Sequence, residues 1–304
     1  MSTRRKVLAS VVLAPAVAAV GALPTRASAL PIVPLARSET IDIAQGIAYG
    51  EIDGEQLLLD VYRPPEREEP RPAVLLFHPG AFSGGDRTWM DEFARRLAQA
   101  GYVAFTVGYR LFAESDGRNQ WPAPLDDAQR AVRWVRANAA EYGVDSERIA
   151  AFGYSAGGAL AAQLGTRDTR DNADPALADF ASRVACVIAI AAETDLAISA
   201  ANPLSVSVDP AFLGGTSDEA PDAWRDFSVL THIDGESAPV LVLHSPQDTW
   251  TSVEHSRRLV EALHTAEVEV VYAELANVTH TNWTWANAGP WALAFLNRQL
   301  HPAR

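Results

Sequence analysis

Ser155, Asp248 and His280 have side-chain types and settings suited to attack on a carbonyl carbon. Ser155 sits in Gly153-Tyr154-Ser155-Ala156-Gly157. The apolar run Arg148-Ile149-Ala150-Ala151-Phe152 precedes it and reads as a buried strand. Gly158-Ala159-Leu160-Ala161-Ala162-Gln163-Leu164-Gly165 follows, rich in helix formers and closed by a glycine. A strand that turns at once into a helix through Gly-x-Ser-x-Gly needs small residues beside the serine, and the turn lifts the hydroxyl above the sheet. The helix aims its free N–H groups and positive end at the same spot.

A serine hydroxyl is a poor nucleophile until a base takes its proton, and the base needs a carboxylate to fix its tautomer. The expected order is serine, acid, histidine, each beyond the carboxyl end of its own strand. Val240-Leu241-Val242-Leu243 reads as a strand, and His244-Ser245-Pro246-Gln247-Asp248 turns from its end, which makes Asp248 the candidate acid. Val268-Glu269-Val270-Val271-Tyr272 is the next strand, and Ala276-Asn277-Val278-Thr279-His280 after it makes His280 the candidate base. His255 and His264 fall on a predicted helix and His301 in the tail, positions that suit solvation. His244 and His78 end strands, where a histidine braces a turn; Glu254 and Asp234 are the alternative acids.

A tetrahedral oxyanion needs at least two fixed N–H donors. The amide of Ala156, directly after the nucleophile, is one. The loop Phe77-His78-Pro79-Gly80-Ala81-Phe82-Ser83-Gly84-Gly85-Asp86 supplies the other. Pro79 has no N–H, so Gly80 and Ala81 are the candidates. Phe82 in that loop, with Trp250 and Trp283 beside the acid and base, are candidates for an aromatic pocket wall, although core packing competes for such residues.

These groups need a frame. Strand signals fall at 40–49, 56–62, 72–77, 103–107, 149–153, 184–191, 240–243 and 268–275. Several are unbroken apolar runs, the pattern of strands covered on both faces. Helical periodicity lies at 88–100, 124–142, 155–164, 252–265 and 290–300. In the second of these, Ala128, Val132, Val135 and Ala139 form an apolar stripe, and Arg130, Arg133 and Arg136 are expected to face water. Alternation of strands and helices gives an α/β fold with a mostly parallel central sheet of about eight strands and helices on both faces. The first two strands, with no helix between them, are expected to form an antiparallel edge hairpin. Residues 194–239, rich in Pro, Gly, Ser and Asp, are too long for a plain link and are expected to form an excursion near the active site.

Residues 1–29 have the pattern of an export signal. Arg4, Arg5 and Lys6 precede an apolar run from Val7 to Leu23, and Ala27-Ser28-Ala29 is a cleavage site; the twin arginines point to the route that carries folded proteins. The expected product is a single domain, 30–304, secreted or periplasmic, with no membrane span. The segment holds four of the 25 basic side chains, which leaves 21 against 38 acidic ones, a net −17. Such a surface repels nucleic acid and anionic membranes and favours neutral or cationic small molecules. Cys186, the only cysteine, lies in an apolar strand pattern and reads as inert core. No metal cluster, phosphate loop or dinucleotide fingerprint is present, so no cofactor is expected.

The chain resembles the α/β-hydrolase superfamily in its esterase/lipase branch, which includes hormone-sensitive-lipase-like and feruloyl-esterase-like enzymes. His78-Pro79-Gly80-Ala81-Phe82 is similar to that branch's His-Gly-Gly-Gly-Trp loop. Tyr109-Arg110-Leu111, Asp127 with Trp134, Gly153 to Gly158, Phe212-Leu213-Gly214-Gly215 and His244 to Asp248 fall in its usual order. Two features depart from it: Pro79 and Ala81 replace glycines, and the histidine lies in Asn-Val-Thr-His-Thr instead of Gly-x-Gly-His-Gly. The resemblance implies hydrolysis of carboxylic esters through an acyl-enzyme; with no obvious lid helix or exposed apolar run in the sequence, small or carbohydrate-linked esters are the expected substrates. An acyltransferase with the same triad, a serine peptidase and a non-catalytic binding protein remain as alternatives.

Overall fold

The computed structural model describes residues 40–65, 69–170, 174–201 and 208–301; the export-signal pattern lies outside them. Eight strands form one sheet: β1 Asp42–Ile52, β2 Glu55–Arg63, β3 Arg71–Phe77, β4 Val103–Val107, β5 Val144–Tyr154, β6 Cys186–Ile190, β7 Val240–His244 and β8 Val270–Glu274. They lie in the order β1-β2-β4-β3-β5-β6-β7-β8. β2 runs antiparallel to β1 and β4, and every other pairing is parallel. The edge hairpin read from the sequence is therefore present.

Alternation along each strand splits the core into two layers. Ala73, Leu75 and Phe77 of β3 join one apolar cluster, Val74 and Leu76 the other. The first layer is closed by α2 (Ala123–Ala137), α4 (Ala156–Thr166) and α7 (Glu254–Thr265), through Val132, Leu160 and Leu259 among others. The second is closed by α1 (Asp91–Gln99) and α8 (Trp285–Leu300), through Leu97, Phe295 and Leu296. α4 is buried along its whole length, which suits its run of Ala, Gly and Leu. Phe77, Gly153 and Ala189 pair across the sheet, so β3, β5 and β6 end level with one another. The loops that follow them open on one edge.

Three details differ from the sequence reading. The helix expected over 124–142 breaks at Asn138, where a second turn, α3 (Ala139–Tyr142), begins and ends on Gly143 at φ 64°. The arginines of α2 do not face water. Arg133 donates to the Leu177 and Phe180 carbonyls, Arg136 to those of Ser146, Ala181 and Arg183, and Arg130 pairs with Asp174. The segment 174–183 lacks a ladder of its own, and the guanidinium groups satisfy its carbonyls. α8 starts at Trp285, five residues before the proline read as its first residue, because Thr284 and Asn287 form a reciprocal cap there. Among its described residues, the excursion over 194–239 contains α5 (Leu196–Ala201), α6 (Pro221–Phe227) and the 3-10 turns Pro210–Leu213 and Val229–His232.

Candidate active site

Ser155 stands between β5 and α4 with φ 54° and ψ −120°, a conformation a residue with a Cβ holds only when its surroundings enforce it. Its amide donates to the Ile190 carbonyl at 2.8 Å and its carbonyl accepts from Ala159 at 3.0 Å. A Cβ on Gly153 would fall onto the Gly157 carbonyl, and one on Gly157 onto the Phe77 carbonyl. Small residues are thus required on both sides of the serine by backbone contact alone.

The structure brings the three expected groups together. Ser155 Oγ lies 2.9 Å from His280 Nε2, and His280 Nδ1 lies 2.7 Å from Asp248 Oδ2. The carboxylate accepts from Nδ1–H, so Nε2 is left as the acceptor for the serine proton. Serine and histidine are 8% and 5% exposed, and the Asp248 side chain is fully buried. Burial by itself would raise the Asp248 pKa. Hydrogen bonds from His244 and His280 and from the Thr251 amide outweigh it and hold the group well below the usual carboxylate range. Its Oδ1 also accepts from the amides of Trp250 and Thr251, both at 2.9 Å.

Two neighbours fix this turn. His244, fully buried, places Nε2 3.0 Å from the Thr251 carbonyl and 3.5 Å from Asp248 Oδ2. A carbonyl only accepts, so Nε2 carries hydrogen, and Nδ1 lies 2.7 Å from the Ser256 hydroxyl. Ser245 donates its hydroxyl to the Val278 carbonyl and so ties the acid turn to the loop that carries His280. Sequence reasoning gave Ser245 no role. Its place between the strand end and the acid was the available signal. The imidazole of His280 is flanked by Tyr154, tilted 47° at 5.5 Å, and by Trp250, nearly parallel at 15° and 5.4 Å.

The loop after β3 carries Ala81 at φ 51° and Phe82 at φ 62°. Two consecutive left-handed residues turn successive amides toward one side, an arrangement that suits an anion. Gly80 accepts from Ser83 and Gly84, Phe82 accepts from the Phe112 amide at 2.8 Å, and the Tyr109 hydroxyl donates to the His78 carbonyl. Arg110, held by Asp127 in a forked ion pair, anchors the Tyr109–Phe112 segment that does this bracing. Among the described hydrogen bonds, none uses the amides of Gly80, Ala81 or Ala156.

The aromatic wall differs from expectation. Phe82 is 1% exposed and packs face to face on Phe212 and edge-on to Phe227. Trp283 is buried in the second core layer. Both rings are core material because apolar partners from other elements are there to cover them. Trp250 alone of the three stands open, at 61% exposure. His255 is not solvated: it is fully buried, and burial first, then the charges of His244 and Arg258, lowers its pKa to about 3. Glu254 is an exposed partner of Arg257, and Asp234 caps its own turn through Ser237. No group of three His, Cys, Asp or Glu among the described residues could hold a metal ion. No helix among them is long and apolar enough to cross a membrane.

Residues 59–263 match the sequence model of the family described as BD-FAE. Among curated proteins, the chain is 32% identical to the esterase LipC of Mycobacterium tuberculosis, over 85% of this chain and 65% of that protein. It is 30% identical to the probable carboxylic ester hydrolase LipM of the same organism, over 77% of this chain and 55% of that one. The chain thus spans just over half to two thirds of the length of these relatives. Among solved structures, a thermophilic esterase from Thermogutta terrifontis superposes with a TM-score of 0.72 at 23% identity, covering 85% of this chain and 94% of its own. A truncated carbohydrate esterase from gut microbiota gives 0.71 at 21%, covering 88% and 98%. At such identity the two structures speak for the fold.

Proposed function

Because the chain belongs to the BD-FAE family, within the esterase and lipase branch of the α/β-hydrolases, we propose that it is a serine carboxylesterase. The observation that carries this reading is the line of contacts Asp248–His280–Ser155, at 2.7 and 2.9 Å. His280 Nε2 takes the hydroxyl proton as Ser155 Oγ bonds to the ester carbon. The carbonyl oxygen becomes an oxyanion facing the amides of Ala156, Gly80 and Ala81. His280 then gives its proton to the departing alkoxide, the ester C–O bond breaks, and an acyl-serine is left. Water, deprotonated by the same nitrogen, releases the acid. Each oxyanion donor is worth on the order of 3 kcal/mol in the transition state.

The substrate class is a soluble, small or carbohydrate-linked ester. The acidic surface offers nothing to anionic lipid, and one of the similar structures is described as a carbohydrate esterase. The pattern of residues 4–29 supports export with a cleaved signal; the mature chain, recovered outside the cytoplasm, should begin at Leu30. The decisive experiment is release of acid from short p-nitrophenyl esters and acetylated sugars by the purified chain, with Ser155→Ala as the blank. A covalent acyl-serine trapped at Ser155, and acid as the product even when an acceptor alcohol is added, are the expected results. Equal turnover by Ser155→Ala, or an acylated alcohol as the main product, would overturn the reading.

A further inference from the structure

Three large apolar side chains stand exposed among the described residues: Trp89, Trp250 and Trp291. Of these, only Trp250 stacks on a residue of the triad. Its indole lies nearly parallel to the His280 imidazole, at a centroid separation of 5.4 Å that is too long for full overlap, so it extends past the smaller ring. Its amide and that of Thr251 both donate to Asp248 Oδ1, which fixes the backbone on either side of the indole to the catalytic acid. At 61% exposure the indole leaves aromatic surface open to a ligand directly beside the triad.

The chemistry says what would use it. The acyl oxygen must face the amides of Ala156, Gly80 and Ala81. The leaving oxygen must come within hydrogen-bond reach of His280 Nε2, which returns the proton. The alcohol half of the ester therefore passes over the His280 side of the site and the acyl half does not. We propose that Trp250 is the platform for the alcohol half. It selects esters whose alcohol presents a flat or C–H-rich ring face, an aryl or pyranosyl group, over esters of small alkyl alcohols. This rests on the esterase reading and adds the side of the substrate on which selection acts.

The test compares acetyl esters that differ only in the alcohol: ethyl acetate, phenyl acetate and an O-acetylated methyl glucoside. For each, kcat/KM of Trp250→Ala is divided by that of the unaltered chain, which cancels intrinsic leaving-group reactivity. Loss of ring stacking should lower the ratio for the two ring-bearing esters on the order of 3- to 10-fold, with Trp250→Phe recovering part of the loss. Ethyl acetate, which has no ring to lose, should fall clearly less than either of them. A fall for phenyl acetate alone assigns the platform to aryl alcohols, and one for the glucoside alone to sugars. At a fixed p-nitrophenol leaving group, the preference between acetate and butyrate should not change, because both share the alcohol. An equal loss across all three alcohols, or a changed acyl preference, would overturn the assignment and leave Trp250 as a cover for His280. If the unaltered chain cleaves none of these esters, the esterase reading fails first. If it cleaves them and the ratios are flat, only the platform fails.

Discussion

Replacing Asp248 by asparagine tests the electrostatic logic of the site more sharply than removing the serine. The amide has the same shape, and the structure dictates how it must sit. Oδ1 is met by two backbone N–H groups, from Trp250 and Thr251, which cannot become acceptors. The amide oxygen therefore takes that place, and the NH2 group faces His280 Nδ1 at the former Oδ2 position, 2.7 Å away. Two donors cannot share that distance. His280 answers by moving its hydrogen to Nε2, the nitrogen 2.9 Å from Ser155 Oγ. A base already protonated there cannot accept the serine proton. An enforced wrong tautomer lowers kcat about 10⁴-fold in a triad of this type, which is about 5 kcal/mol of transition-state free energy at ~1.4 kcal/mol per tenfold. Steady-state hydrolysis of p-nitrophenyl acetate gives kcat and KM. KM should change little, since Asp248 touches no substrate. The reasoning is refuted if Asp248→Asn, folded by circular dichroism, keeps more than about a tenth of kcat.

Two other outcomes follow from the same network. Ser245→Ala removes the hydroxyl that bonds the Val278 carbonyl and leaves that carbonyl buried without its partner. Denaturant unfolding should show a loss of about 1–3 kcal/mol, with kcat falling more than KM rises because the His280 loop loosens; an unchanged midpoint and kcat would contradict it. His255 has a folded pKa of about 3 against 6.5 when exposed, so the unfolded chain binds a proton that the folded one refuses. Its contribution is complete above pH 6.5 and is lost as the pH falls toward 3, at ~1.4 kcal/mol per pH unit. The drop in unfolding free energy between pH 7 and pH 5 should therefore shrink by about 2 kcal/mol in His255→Asn; equal acid sensitivity of the two chains would refute this.

The candidate site was legible because it depends on local order. Gly153 and Gly157 around Ser155 report a turn too tight for side chains, and a strand end followed by Asp248 or His280 reports an address on the sheet. Uninterrupted apolar runs at β3, β5, β6 and β7 reported strands covered on both faces. What stayed hidden depends on partners distant along the chain. Periodicity turns Arg133 away from the apolar stripe of α2, yet cannot reveal that the 177–180 carbonyls arrive to meet it. The same holds for His255, whose carbonyl accepts from the Thr194 hydroxyl and whose Nδ1 accepts from the Asp195 amide. The left-handed backbone at Ala81 and Phe82 carries no glycine to announce it. The fate of Phe82 was settled by Phe212 and Phe227, from the excursion, whose rings cover it.

That last contact matters for anyone who would redesign this protein. The segment around Phe212 is the natural place to graft new loops for broader selectivity, but its ring rests directly on the residue following Gly80 and Ala81. A transplanted loop that loses the aromatic at that position would shift the backbone of Gly80 and Ala81, whose amides are the proposed oxyanion donors. Breadth and speed are mechanically joined here, and libraries that vary residues 210–227 should hold Phe212 and Phe227 constant.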